Sequence, residues 1–123
     1  MKIKTSELTG AALDWAVAKC LVLTGSARGF EVRNGKPMYL DGYWDDAQFH
    51  FNWDQGGPII EREVCTLIER DGEWSAEVFW PKPPSRHRFC YSVRGETPLI
   101  AAMRTYVVSR LGAEVDVPEE LLK

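Results

Sequence analysis

The sequence predicts an α+β protein: an antiparallel sheet meander flanked by an N-terminal and a C-terminal helix, as an α/β/α-like sandwich. Helical periodicity is confined to the two ends of the chain, whereas alternating residues and turn signals fill the middle. The 123 residues, 45% of them hydrophobic and 27% charged, are typical of one globular domain spanning 1–123.

The stretch TPLIAAMRTYVVSRLG near the C-terminus predicts a complete helix with both ends marked. Thr97 is a suitable N-cap, and Pro98 suits the first helical position because its missing N–H is not needed there. Gly112 can take the left-handed conformation that ends a helix. Arg104 and Thr105 lie on the two flanks of the apolar stripe, from which an arginine can reach a cleft.

The N-terminal segment Ser6–Cys20 predicts a second helix, capped by Thr5 or by the serine that begins it. Its residues are apolar almost all round, which indicates burial on more than one side. Asp14 and Lys19 interrupt the apolar run, so the segment is not a membrane span.

The middle of the chain opens with a predicted hairpin, in which Phe30–Arg33 and Met38–Leu40 are joined through Asn34-Gly35. An exposed acidic loop is expected over 41–46. The alternation of QFHFNW, 48–53, predicts a short strand.

The next stretch, WDQGGPIIERE (53–63), contains a predicted break at Gly56-Gly57-Pro58. Pro58 then begins a short helix or, alternatively, a strand begins at Ile59. The residues that follow predict a second hairpin, with strands Val64–Glu69 and Trp74–Trp80 around the turn Asp71-Gly72.

Three prolines then force an irregular connection, after which Arg88–Val93 predicts a third strand. Beyond the C-terminal helix the tail is acidic, and Pro118 can begin one last turn.

The segment Lys82–Arg94 concentrates cationic and aromatic side chains without an acidic residue, although the whole chain is net negative. Guanidinium groups match phosphate oxygens, and aromatic rings offer faces on which a base stacks. We therefore predict a nucleotide pocket on which guanidinium groups of this segment and of the last helix converge. Its predicted ligand-binding residues are Phe79, Arg86, Arg88, Tyr91 and Arg104. The alternative is a solvated edge strand, since arginines also protect edges from aggregation.

The net charge is −3, from 15 basic and 18 acidic residues, which argues against a partner such as long nucleic acid. Cys20, Cys65 and Cys90 form no C-x-x-C motif, so we expect neither a disulfide framework nor a zinc site, and a reducing, cytoplasmic setting. His50 and His87 have no carboxylate or cysteine at a metal-ligand spacing. No metal, no cofactor and no catalytic residue is predicted, and a Cys90–His50 nucleophile pair remains an open alternative.

Three blocks together resemble the NinX-like family of phage proteins: MKIKTSELTGAALDWAVAKC, WDQGGPIIERE and TPLIAAMRTYVVSRLGAEVDVP. This resemblance implies a phage or prophage gene acting inside a bacterium, in a family without an assigned activity. The family usually carries a Ser-Thr-Asp-like element before the middle tryptophan, where this chain has Phe51-Asn52.

The order of elements and an Arg-Thr pair in the last helix are also similar to the anti-Thoeris sponge proteins of phages. That similarity implies an anti-defence protein that sequesters a cyclic ADP-ribose-type signal or a cyclic oligonucleotide without catalysis, at the interfaces of a homo-oligomer. It implies ligand contacts from Arg104-Thr105 and, by approximate position, from Phe79 and Arg62. Two other functions stay open: docking on a host or phage protein through Tyr43 and Trp44, and cleavage of a nucleotide.

Overall fold

The structure is a computed structural model and describes residues 1–122. In this part of the chain three α-helices and eight β-strands are joined by short connections, with 3-10 turns near both ends. The helices are α1 (Gly10–Leu23), α2 (Trp53–Glu63) and α3 (Pro98–Leu111). The strands are β1 (Lys2–Lys4), β2 (Gly29–Arg33), β3 (Lys36–Asp41), β4 (Tyr43–Asp46), β5 (Thr66–Arg70), β6 (Glu73–Trp80), β7 (Phe89–Gly95) and β8 (Glu114–Asp116).

The strands form three antiparallel sheets, which confirms the predicted α+β class. Their orders are β1-β8, β2-β3-β4 and β5-β6-β7. The layers differ from the predicted α/β/α-like sandwich, because α1 and α3 pack against each other between the two three-stranded sheets. Helices apolar on nearly every side can be buried from two directions at once, so α1 also packs on β2 and β3 while α3 packs on β6 and β7.

The N-terminal helix begins later and ends later than the predicted segment Ser6–Cys20, running from Gly10 to Leu23. A 3-10 turn precedes it, and Thr5 does not cap it. The buried hydroxyl of Thr5 instead donates a hydrogen bond to the carbonyl of Gly112, at 2.6 Å. This contact ties the start of the chain to the end of α3.

The first hairpin is confirmed, with Asn34 and Gly35 both at positive φ, as its tight turn requires. The predicted acidic loop is wrong: Tyr43–Asp46 is a third strand, which pairs with β3. The predicted strand over 48–53 is also wrong, since these residues turn the chain into α2.

The predicted break at Gly56-Gly57-Pro58 is absent, and a continuous helix spans Trp53–Glu63. Asn52 caps this helix, because its side chain accepts a hydrogen bond from the main-chain N–H of Asp54 at 2.9 Å. Gly56 permits close packing on α3: a Cβ there would lie 2.5 Å from Cδ1 of Leu99.

The second half of the chain agrees with the predicted strands and helix to within one or two residues at most ends. Asp71 and Gly72 have positive φ in the turn between β5 and β6. Thr97 caps α3 by accepting from the N–H of Ile100 at 3.1 Å, and Gly112 follows the helix with φ +87°. None of the helices within residues 1–122 has the length and apolarity needed to cross a bilayer.

Candidate functional site

Arg104 is a buried arginine on α3 whose guanidinium is held by main-chain carbonyls. Its Nε donates to the carbonyl of Leu8 at 2.7 Å, and its Nη1 donates to the carbonyl of Arg94 at 3.0 Å. Only 6% of the side chain is exposed. Removing an ionised group from water costs several kcal/mol unless partners compensate. The groups around this guanidinium therefore show how its charge is compensated.

The carboxylate nearest to this guanidinium pairs with it only loosely. Oε2 of Glu96 lies 3.6 Å from Nη2 of Arg104, and the glutamate side chain is 70% exposed. A guanidinium has five N–H donors, and two of the groups that carry them are fixed here by carbonyls. Arg104 therefore keeps donor capacity on the side where it lines a surface cleft.

The cleft has a volume of about 390 Å³ and lies beside the end of β7. The turn between β5 and β6 forms another wall and contributes Glu73. The exposed side chain of Arg94 lies across from it, with 3.7 Å between Nη1 and Oε2 of that glutamate. The full lining is Ser6, Gly72, Glu73, Val93, Arg94, Gly95, Glu96 and Arg104. Two guanidinium groups and two carboxylates thus face one hollow.

Gly95 allows α3 to begin close against β7. A Cβ at this position would lie 2.5 Å from the main-chain nitrogen of Ala101, closer than a side chain can be placed without a shift of backbone. This close approach places Arg104 within hydrogen-bonding distance of the carbonyl of Arg94. The sequence did not mark Gly95 as part of a site, because its requirement arises from packing between two elements.

Thr105 lies beneath the cleft and is fully buried. Its hydroxyl is within hydrogen-bonding distance of the carbonyls of Ala101 (2.7 Å) and Ala76 (3.2 Å), and it accepts from the N–H of Val93 at 3.2 Å. These contacts fasten α3 to β6 and β7. The hydroxyl has no exposed surface, so in this structure Thr105 positions the cleft wall without facing the cleft.

Three other predicted residues lie at the far end of β7. Arg86 and Arg88 are exposed in and after the proline-rich connection, and the guanidinium of Arg88 lies 5.3 Å from the ring centroid of Phe79. At about 3.3 Å per strand residue, this end is about 20 Å from Arg94. Tyr91, opposite Val78 in the sheet, is half-buried. None of these four predicted residues lines the cleft.

Arg62 lies elsewhere, on α2, where its Nε donates to Oε2 of Glu63 at 3.4 Å. It lines a separate hollow of about 140 Å³ that also includes Tyr39 and Pro58. The seven predicted residues therefore do not share one hollow. The convergence predicted between the late strand and the last helix is found for Arg94 and Arg104. Ligand binding by all seven predicted residues stays a prediction.

A second cluster, which the sequence analysis missed, joins α1 to the connection before α2. The side chain of Asp14 is buried, and its two oxygens lie 2.8 Å from the main-chain nitrogen and 2.7 Å from ring Nδ1 of His50. Burial raises the pKa of Asp14 to about 6, against a lowering by the charge of His50. The only sequence signal was a carboxylate inside an apolar helix, since its partner lies 36 positions along the chain.

The three cysteines lack the features of an activated nucleophile. Burial raises the pKa of Cys20 to about 12 and that of Cys65 to about 11. Desolvation and then the hydrogen bond to Glu77 raise the pKa of Cys90. A raised pKa keeps a thiol protonated near neutral pH, and the thiolate is the nucleophilic form.

The described residues define a small α+β protein in which two helices are enclosed between antiparallel sheets and two arginines face one cleft. A family model described as "Bacteriophage P22, NinX" matches residues 4–110 of this chain. The chain belongs to this phage protein family, as the three sequence blocks predicted. A search among curated proteins gave no match. The further similarity to signal-sponge proteins stays a prediction.

Proposed function

We propose that this NinX-family protein is a non-catalytic, anti-defence binding protein that sequesters a nucleotide second messenger in the cytoplasm of the bacterial host. The ligand class is a cyclic ADP-ribose-type signal or a cyclic oligonucleotide. The observation that carries the proposal is Arg104, a buried and rigidly held cation that lines a cleft and has only a loose carboxylate partner.

Phosphate is the chemical group that best complements this arrangement. A guanidinium away from water makes charge-assisted hydrogen bonds to phosphate that are about twice as strong as neutral ones. Arg94 on the rim can supply a second fork from the opposite wall. Because Glu73 and Glu96 also line the cleft, the ligand needs hydroxyl or amino groups that donate to them, as the ribose of a nucleotide does.

The side chains of the cleft belong to arginine, glutamate, serine and valine, and we assign the two glutamates to hydrogen bonds with the ligand rather than to proton transfer. Neither histidine nor cysteine is among its lining residues. A binding protein must desolvate and hold its ligand, and it needs no group that transfers a proton or attacks a phosphorus atom. Ligand burial between subunits is part of the proposal, and it predicts a homo-oligomer whose mass light scattering will measure.

Isothermal titration with cyclic ADP-ribose isomers, cyclic di- and trinucleotides and AMP tests binding. We expect saturable binding of at least one nucleotide, and Arg94→Gln should weaken it about tenfold or more because a charge-assisted hydrogen bond is lost. Arg88→Gln is the matched control, since it removes an exposed arginine at the other end of the same strand. No binding across the panel contradicts the proposal, and a loss in Arg88→Gln alone moves the site to the far end of β7.

Recovery of the ligand distinguishes a sponge from an enzyme. After incubation and heat denaturation, mass spectrometry should find the bound nucleotide chemically unchanged and in full amount. Time-dependent conversion to a product would replace the binding function with the alternative of a nucleotide-cleaving enzyme.

Exposed aromatic side chains favour a second candidate function, docking on a host or phage protein. Tyr43 on β4 is 71% exposed, and Phe51 and Trp53, near the start of α2, are 59% and 51% exposed. Large exposed apolar groups mark interaction surfaces when they are clustered. An affinity purification that recovers one stoichiometric protein and no nucleotide would favour this function over sequestration.

A further inference from the structure

The outer face of the β5-β6-β7 sheet carries a groove that continues from the cleft. Because α3 packs on the opposite face, Ile68, Ser75 and Arg94 lie side by side across the three strands on the outer face. The groove has a volume of about 260 Å³ and shares Glu73 and Arg94 with the cleft. Because the cleft and the groove are continuous, one ligand can occupy both at once.

The two hollows differ in chemistry. The cleft contains the buried cation Arg104, which suits a phosphate, whereas the groove contains none of the buried cations and has an apolar wall at Ile68. The small side chain of Ser75 leaves space between this isoleucine and the guanidinium of Arg94. The hydroxyls of Ser75 and Ser92 can exchange hydrogen bonds with the edge of a heterocycle.

We infer that this groove is a nucleobase subsite, in which a base lies flat between Ile68 and Arg94 while its phosphate binds at Arg104. The inference rests on the proposed function and adds where the base binds. Stacking of a base on the planar guanidinium of an exposed arginine is sequence-tolerant, so several bases are accepted. The aromatic residues of the sequence predict stacking on Phe79, Phe89 and Tyr91 instead, and all three lie outside this groove.

The experiment compares ligands that differ only in the base. Affinities of AMP and ribose 5-phosphate, and of the cyclic nucleotides of the panel, are measured by titration for the wild-type protein and two variants. Ser75→Phe fills the groove and adds no charge, and Phe is favoured in strands. Thr66→Phe is the matched control, because Thr66 lies on the same face of β5 but outside the groove.

The wild-type protein should bind AMP about tenfold more tightly than ribose 5-phosphate, or better, because base stacking is lost without the base. Ser75→Phe should make the affinities for AMP and ribose 5-phosphate equal and should lower the affinity for any cyclic nucleotide that binds. Thr66→Phe should leave these affinities unchanged. Ile68→Ala, which removes the apolar wall without adding bulk, should reduce the ratio in the same direction.

Two results overturn the subsite while the proposed function stands: equal affinity of the wild-type protein for AMP and ribose 5-phosphate, or cyclic-nucleotide binding that Ser75→Phe and Ile68→Ala leave unchanged. If none of these ligands binds, the proposed function and the subsite are both wrong.

Discussion

Arg104 in α3 and Asp14 in α1 are both charged side chains buried in helices that are otherwise apolar, but their partners differ. Asp14 directs both oxygens at one residue, His50, at hydrogen-bonding distances. Arg104 is fixed by two main-chain carbonyls, and its nearest carboxylate is loosely placed and exposed. Asp14 also lines a hollow, of about 200 Å³, but both of its oxygens already have a close partner there. Arg104 lines its cleft with only a loosely placed carboxylate beside it.

A buried charge indicates a ligand more strongly when its partners inside the protein leave some of its hydrogen-bonding capacity unused. Burial by itself is a weak indication, since ion pairs inside proteins are often structural. An aspartate can also reduce its cost by protonation, as the raised pKa of Asp14 shows, but an arginine stays charged. A rigid arginine that lines a hollow without a close carboxylate is therefore the stronger sign of an anion site.

The largest expected effect is on stability when Arg104 is replaced. Arg104→Met keeps the apolar stem but leaves the carbonyls of Leu8 and Arg94 without their donors, and hydrogen bonds to charged groups contribute about 1.5–3 kcal/mol each. We expect the free energy of unfolding, from urea denaturation, to fall by about 4 kcal/mol. Arg88→Met should change it by less than about 0.5 kcal/mol, because that side chain is exposed. Equal effects of the two substitutions would show that Arg104 is not held as described.

The stability of the protein should also depend on pH through Asp14. Burial, the largest cause, raises the pKa of Asp14 from 3.8 to about 6, so the folded protein binds the proton more tightly than the unfolded chain. The resulting stabilisation is complete below pH 3.8 and is lost as the pH rises through 6, which amounts to about 3 kcal/mol at 1.36 kcal/mol per pKa unit. Asp14→Asn lacks this titration. The stability of the wild type relative to Asp14→Asn should therefore fall by about that amount between pH 3 and pH 7.

The control for this titration is Thr66→Val, an exposed substitution on β5 that removes no titratable group. Its stability relative to the wild type should be the same throughout this pH range. A difference between the wild type and Asp14→Asn that is constant with pH would show that Asp14 does not titrate in the folded protein near 6.

How far the sequence predicts this molecule depends on how local each signal is. The hairpin at Asp71-Gly72 and the helix capped by Thr97 follow from neighbouring residues, and both are confirmed. The continuous α2 was not predictable, because Gly56 is required by contact with Leu99, a residue 43 positions later in the sequence. A packing requirement of this kind depends on residues far apart in sequence, so no single stretch of the chain predicts it.

The candidate site divides in the same way. The flank position of Arg104 follows from helical spacing, and it is confirmed as a cleft-lining position. The arginines of the basic segment are close in sequence, but an extended strand separates their ends by about 20 Å. The sequence therefore shows that this segment is rich in arginine, but not which arginine lines the cleft. The direction of β7 places Arg94 beside Arg104 and Arg88 at the far end of the strand.

The smallest change in stability is expected at Thr105, the residue next to Arg104 on α3, which lies beneath the cleft. Thr105→Val keeps the shape of the side chain but removes the hydroxyl that accepts from the N–H of Val93, leaving a half-buried donor without its partner. We expect a loss of about 2 kcal/mol in the free energy of unfolding, whereas Thr66→Val on the exposed face of β5 should change it by less than about 0.5 kcal/mol. If Thr105 only positions the cleft, the nucleotide that binds the wild type should bind the folded variant with less than a threefold change in affinity, measured by titration. A much larger loss of affinity at unchanged stability would instead place Thr105 in direct contact with ligand, as the similarity to the sponge proteins implies.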